Sequence, residues 1–204
     1  MSYFHIPLLA MEREIGREET KKLISSFTCP RNPDIVNYLK KSAIAHAAGG
    51  ITQTHLIFAK KENVPVMIAY FTIMPKTLFI SDKSVNQLPP KTKAGIVSSA
   101  AYDEYRKQYE LPATLIVQIS KNFTDNANRM ISGADLLEIA LGMIKKAQSL
   151  TGGSIVYAEC NDNKKLIEYY KPNGFAIFGE RLPEASENDR NSGKMIKQML
   201  KIID

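Results

Sequence analysis

The segment SIVYAECNDNKKLIEYYKPNGFAIFGE, Ser154 to Glu180, carries two adjacent phenols, Tyr169 and Tyr170. A phenol can donate a hydrogen bond or a proton to a departing atom. Neighbouring residues on a helix point about 100° apart, so the two serve different roles. By residue type alone Tyr170 reads first as a core tyrosine. The other reactive side chains offer less. Cys29 and Cys160 are far apart and form no CxxC, and Cys160, with no histidine near it in sequence, reads as a buried strand-end thiol. His5, His46 and His55 show no metal-ligand spacing, so no metal site is expected. The run TLIVQIS contains no carboxylate or histidine, and Glu159, Glu168 and Glu180 read as surface charges. No general base is legible.

Several elements must position these groups. Ser154 to Glu159 reads as a strand, Lys164 to Tyr170 as a helix, and Phe175 to Phe178 as a strand after the break at Lys171-Pro172-Asn173-Gly174. Gly133 to Leu150 is the strongest helix, with Leu136, Leu137, Ala140, Leu141, Ile144 and Ala147 on one broad face and Thr151-Gly152-Gly153 as its stop. LPATLIVQIS precedes it as a strand, followed by the loop TDNANR. Upstream, Ile51 to Lys60 and Val64 to Met74 form a hairpin across Lys61-Glu62-Asn63. Leu78 to Ser81 is a possible third strand, and Gly95 to Tyr109 a helix inserted between strands. Glu18 to Ser26 and Asp34 to Ala47 read as helices, the second stopped by Gly49-Gly50. Ile6 to Met11 is uncommitted, Arg181 to Lys194 a polar loop, and MIKQMLKII a final strand or helix. The order implies a mixed sheet with helices on both faces, and two β-α-β passages that call for parallel neighbours.

The chain has 204 residues, suited to one domain over 1–204 with an N-terminal extension over 1–26 and a helical insertion over 83–110. It is 44% hydrophobic and 24% charged, the balance of a globular protein. The longest apolar stretch, Val64 to Met74, is too short for a bilayer, and the N-terminus lacks a basic n-region. A cytoplasmic protein with free thiols and no membrane partner is expected. The net charge of +6 permits attraction to nucleic acid, anionic lipid or a polyanionic cofactor.

Asn163, Tyr170 seven residues later and Gly174-Phe175 four residues beyond resemble the C-terminal half of the GNAT superfamily, the acyl-CoA-dependent N-acetyltransferases. GADLLEIALGMIKKA resembles the helix after that family's pyrophosphate loop, and LPATLIVQIS its central strand. FTCPRNPDIVNYLKKSA resembles the branch of small bacterial members that includes toxins acting on aminoacyl-tRNA. Together the resemblance spans about residues 27 to 202. It implies an α/β (α+β) fold with a mostly antiparallel sheet, a splayed parallel central pair and helices on both faces.

The resemblance also implies acetyl-CoA as donor. The family's loop is Gln or Arg, two residues, Gly, one residue, then Gly or Ala. Here it reads NRMISG, Asn128 to Gly133, with Asn first and Ile131 in place of the first Gly. Asn128, Arg129, Ile131, Ser132, Gly133 and Ala134 are thereby placed at the pyrophosphate, where helix N–H groups favour an anion. A β-branched Ile131 suits neither positive φ nor a very close phosphate. Either the loop is in an allowed conformation there or donor affinity is reduced. Ile116, Val117, Gln118 and Ile119 would pair with the pantetheine amides, and an N–H near Gln118 or Ile119 would face the oxyanion. Asn163 joins the donor site, and Tyr170 serves the departing sulfur.

The function implied is transfer of an acetyl group from acetyl-CoA to a primary amine by direct attack. An α-amino group, with a pKa near ~8, needs less help from a base than lysine near ~10.4. Two alternatives stand beside it: a GNAT-fold module that binds CoA weakly or not at all, and toxin-type acetylation of aminoacyl-tRNA. The acceptor amine is unassigned; tRNA and a homodimer are partners the reading allows.

Overall fold

The computed structural model describes residues 3–183 and 195–203, so most of the Arg181 to Lys194 loop lies outside the described residues. In chain order the strands are β1 (Tyr3–Pro7), β2 (Gln53–Lys61), β3 (Val64–Ser81), β4 (Ala101–Asp103), β5 (Gln108–Lys121), β6 (Ile155–Asn161), β7 (Ala176–Arg181) and β8 (Ile196–Ile202). The helices are α1 (Leu8–Ile15), α2 (Arg17–Ser25), α3 (Pro33–Asn37), α4 (Ala43–Ala48), α5 (Asp82–Val85), α6 (Pro90–Ser99), α7 (Gly133–Thr151) and α8 (Lys164–Tyr170). The sheet order is β1-β2-β3-β5-β6-β8-β7, with β4 beside β5. The expected fold class holds: β5 and β6 form a parallel pair, Ala113–Ile116 against Ile155–Ala158, within a sheet whose β1–β2, β2–β3, β6–β8 and β7–β8 pairs are antiparallel.

Several expectations need correction. The uncommitted Ile6 to Met11 divides between β1 and α1 at Pro7, whose fixed φ suits entry to a helix. The helix expected over Gly95 to Tyr109 ends at Ser99; Ala101–Asp103 then pairs antiparallel with Gln108–Glu110. The helix expected from Asp34 to Ala47 contains a π-turn at Tyr38–Ser42. The second β-α-β passage does not give adjacent parallel strands, because β8 pairs antiparallel with both β6 and β7.

The chain forms two compact units, Met1–Met74 with Val117–Ala140 and Pro75–Ile116 with Leu141–Asp204. In the first, every position from Thr54 to Ala59 is buried, which requires cover on both faces of β2. Leu8, Ile24, Leu39, Ala43, Leu56, Phe58 and Tyr70 share one cluster beneath α1–α4. Tyr70 is fully buried; its hydroxyl donates to the Ile35 carbonyl at 2.6 Å and its ring meets Phe27 edge-on at 5.0 Å. Glu62 and Asn63, both at positive φ, close the β2–β3 hairpin as a two-residue loop.

His55 is buried in this unit, stacked on Phe71 at 4.9 Å with His5 at 5.6 Å, and its Nδ1 has no hydrogen-bond partner among the described residues. Burial, with a smaller contribution from His5, pushes its pKa down to about 4. Folding therefore favours the neutral ring. The stability linked to this group is full above about pH 6.5 and is lost as pH falls toward 4, on the order of 3 kcal/mol in all. Denaturant titrations across that window are expected to show the loss in wild type and not in His55→Phe.

In the second unit, Leu78, Ile80, Val85, Ile96, Leu111, Ile155, Tyr157, Phe178 and Leu200 form a cluster between the strands and α5–α6. A Cβ on Gly95 would lie 2.3 Å from Ile202 Cδ1, so glycine lets α6 approach β8 closely. α8 is capped by Asn163, whose Oδ1 accepts the Lys165 N–H at 2.9 Å. Gly174, at φ 85°, makes the turn into β7.

Candidate active site

Asn128 to Ala134, the residues expected at the pyrophosphate, fall in the first unit, after the end of β5. Asn122 stands just beyond that strand and is 3% exposed. Its Oδ1 accepts the N–H groups of Thr28 and Thr124, both at 3.1 Å, and its Nδ2 donates to the Met67 carbonyl at 2.8 Å. Its own N–H donates to the Ile68 carbonyl at 2.7 Å. One buried amide thus joins β3, the segment after α2 and the turn leading to α7. Thr124 strengthens the junction, meeting Thr28 Oγ1 at 3.0 Å and donating to the Ser26 carbonyl at 2.5 Å. Neither residue is recognisable as a site residue from sequence; the only signal is a polar run directly after an apolar strand.

The loop then turns through Asp125 and Asn126, at φ 49° and 60°. These residue types tolerate the left-handed region. Ile131 has no positive φ, so the steric objection to a β-branched residue there does not apply. Its side chain is buried at 3% exposure and its carbonyl accepts Lys121 Nζ at 3.2 Å. Arg129 is exposed and Asn128 half-buried. Ser132, which the resemblance places at the pyrophosphate, also caps α7: its Oγ accepts the Asp135 N–H at 3.0 Å. Along α7, Leu136, Leu137, Ala140 and Ile144 are buried as expected, but Ala147 is exposed and Gln148 takes the inward place, donating to the Ile155 carbonyl at 2.9 Å.

On β5, Val117, Gln118 and Ile119 are half-buried in the first unit, while Ile116, 3% exposed, belongs to the second. The parallel ladder is registered up to Ile116 and Ala158; β5 continues to Lys121 and β6 to Asn161.

Asn163 and Tyr170 lie at the two ends of α8 in the second unit. The Tyr170 ring is 5% exposed and packs edge-on against Tyr169 at 4.9 Å and Phe175 at 5.1 Å. Its hydroxyl makes no hydrogen bond to the described residues. Burial, then Tyr169 and Cys160, raise its pKa far above that of an ordinary phenol, so it holds its proton at neutral pH. Such a group can donate to an anion and is a poor base. The Cys160 thiol is buried and pushed up by desolvation and then by Asp162, which argues against a thiolate nucleophile.

The three glutamates read from sequence as surface charges near α8 are all paired. Glu159 accepts from Arg181 at 2.6 and 3.0 Å and from Gln198 at 2.8 Å, Glu180 pairs with Lys197, and Glu168 lies 3.8 Å from Lys164. The Glu159 cluster is a strut between β6, β7 and β8. Glu159→Gln is expected to cost about 1 kcal/mol of stability and to change turnover by less than about twofold. Thermal unfolding and steady-state rates on the same preparation check both parts. Among the described residues no group of three potential ligands could hold a metal ion, and no helix is long and apolar enough to cross a membrane.

No protein-family model matches the sequence, and no curated protein matches it. Solved structures do share its fold. AtaT complexed with acetyl-methionyl-tRNAfMet superimposes with a TM-score of 0.60 at 14% identity, over 96% of this chain and 94% of that one. A point mutant of KacT gives the same four values. AtaTR bound with acetyl-CoA gives a TM-score of 0.56 at 12% identity, over 98% and 92%. The chain has the GNAT fold of these proteins, as its C-terminal motif implies.

Proposed function

We propose that this GNAT-fold chain is an N-acetyltransferase that moves an acetyl group from acetyl-CoA to a primary amine. The amine nitrogen attacks the thioester carbon, whose oxygen becomes an oxyanion held by backbone N–H near Gln118 or Ile119. The carbon–sulfur bond then breaks, and the sulfur leaves with the Tyr170 proton. The amine's surplus proton goes to solvent, from which the phenolate is reprotonated. Asn128 to Ala134 hold the pyrophosphate against the start of α7, with Arg129 and Lys121 as opposing charges. Val117 to Ile119 pair with the pantetheine amides, and Asn163 fixes the helix that carries Tyr170.

The observation that carries this reading is Tyr170: a phenol with a packed ring and a hydroxyl unclaimed by the described residues, at the position the family motif assigns to the departing sulfur. The experiment is release of CoA thiol from acetyl-CoA in the presence of a panel of amines. Amine-dependent release supports the reading; none with any amine, despite acetyl-CoA binding, leaves a CoA-binding module.

For the acceptor we favour an α-amino group. The ion pairs of Glu159, Asp162, Glu168 and Glu180 engage the carboxylates around α8, and an acceptor near its own pKa at neutral pH needs no strong base. An aminoacyl-tRNA is such an acceptor, and the net charge of +6 suits it. Its binding would weaken steeply with salt, whereas a flat salt response would exclude it.

A further inference from the structure

Asp135 stands in the first turn of α7, and its carboxylate turns back on the helix start. Oδ2 accepts the Ser132 N–H at 3.4 Å and the Tyr3 phenol at 3.3 Å, while Ser132 Oγ accepts the Asp135 N–H at 3.0 Å. This is a reciprocal cap fixed by a residue of β1. The Ser132 N–H belongs to the turn that the acyl-donor reading gives to the pyrophosphate. An anion of the chain itself therefore answers a donor that a phosphate oxygen would use. Hydrogen bonding to Ser132, first among several causes, holds the Asp135 carboxyl below its usual range, so it stays charged through neutral pH. Lys121, donating to the Ile131 carbonyl at 3.2 Å, places a cation in the same turn. The turn thus carries both an attractive and a repulsive charge for the same ligand.

We infer that Asp135, held by Tyr3, is a built-in competitor for the pyrophosphate of the acyl donor and sets the donor's affinity. The inference rests on the acyl-CoA reading. Donor binding requires the carboxylate to leave the Ser132 N–H or to remain beside a second anion, and either lowers affinity. Asp135→Asn keeps the size and the acceptor for that N–H and removes only the charge. Tyr3→Phe leaves the charge and removes the hydroxyl that holds it in place.

Equilibrium dialysis with acetyl-CoA and with S-acetylpantetheine, which has no pyrophosphate, tests this in wild type and both variants. Asp135→Asn is expected to bind acetyl-CoA about tenfold more tightly and Tyr3→Phe about twofold, with S-acetylpantetheine unaffected. Unchanged or weaker acetyl-CoA binding by folded Asp135→Asn overturns the inference, as does an equal gain for both ligands. Should Asp135→Asn not fold, unchanged affinity in Tyr3→Phe overturns it. Absence of saturable acetyl-CoA binding in all three proteins defeats the acyl-donor reading itself, and the inference with it.

Discussion

Tyr170→Phe is expected to lower acetyl transfer by about 10²- to 10⁴-fold while leaving acetyl-CoA affinity within about twofold. The substitution is conservative in every respect but one. The ring contacts with Tyr169 and Phe175 depend on the aromatic face and edge, which phenylalanine retains. The hydroxyl has no hydrogen bond to the described residues, so its loss orphans no partner there, and stability should change by less than about 0.5 kcal/mol. What disappears is the phenolic O–H that would serve the departing sulfur. A loss confined to kcat identifies an interaction made in the transition state. Full activity in this variant would remove Tyr170 from the mechanism.

Asn122→Ala is expected to destabilise the protein by about 2–4 kcal/mol and to weaken acetyl-CoA binding at the same time. Removing this side chain leaves the Thr28 and Thr124 N–H groups and the Met67 carbonyl without their partner at a site that is 3% exposed. Unanswered buried polar groups cost more than the hydrogen bonds contributed. The freed segment is the one that leads through Asp125 and Asn126 to the start of α7. Asn122→Asp keeps the acceptor for both N–H groups but loses the donor to Met67 and sets a buried carboxylate against that carbonyl, so it too should be less stable than wild type. Urea unfolding of the three proteins, with acetyl-CoA affinity measured alongside, checks the order. Equal stability of Asn122→Ala and wild type would show that the junction is not held by this amide.

These two residues also mark the limits of what can be read from the chain. Tyr170 stands out because its partners are local: Asn163 begins the helix, Gly174 turns the chain, and all lie within a dozen residues. The β2–β3 hairpin is legible for the same reason, since Glu62-Asn63 separates two apolar runs. Asn122 is not legible, because its bonding partners include Thr28 and Met67, remote in sequence. β4 is missed because three residues have no periodicity of their own and become a strand by pairing with Gln108–Glu110. The π-turn at Tyr38–Ser42 leaves the apolar pattern almost unchanged; within it Leu39 is buried in the core.

The loop from Asn128 to Gly133 was legible in outline only. Its departure from the pattern of the resembling family makes Ile131 read as an obstacle in sequence. The approach through Asp125-Asn126 takes the left-handed turns, and Ile131 goes to the core. The less obvious feature is Asp135, which reads in sequence as an ordinary acidic residue near a helix start. Only its contacts with Ser132 and Tyr3 give it a place in the chemistry.

Isothermal titration of acetyl-CoA into the wild-type chain bears most directly on all of this. Saturable binding at one donor per chain is the predicted result, weakened by rising salt because the pyrophosphate is held partly by charge. No saturable heat at millimolar acetyl-CoA would contradict it and leave the fold without the donor on which every catalytic role depends.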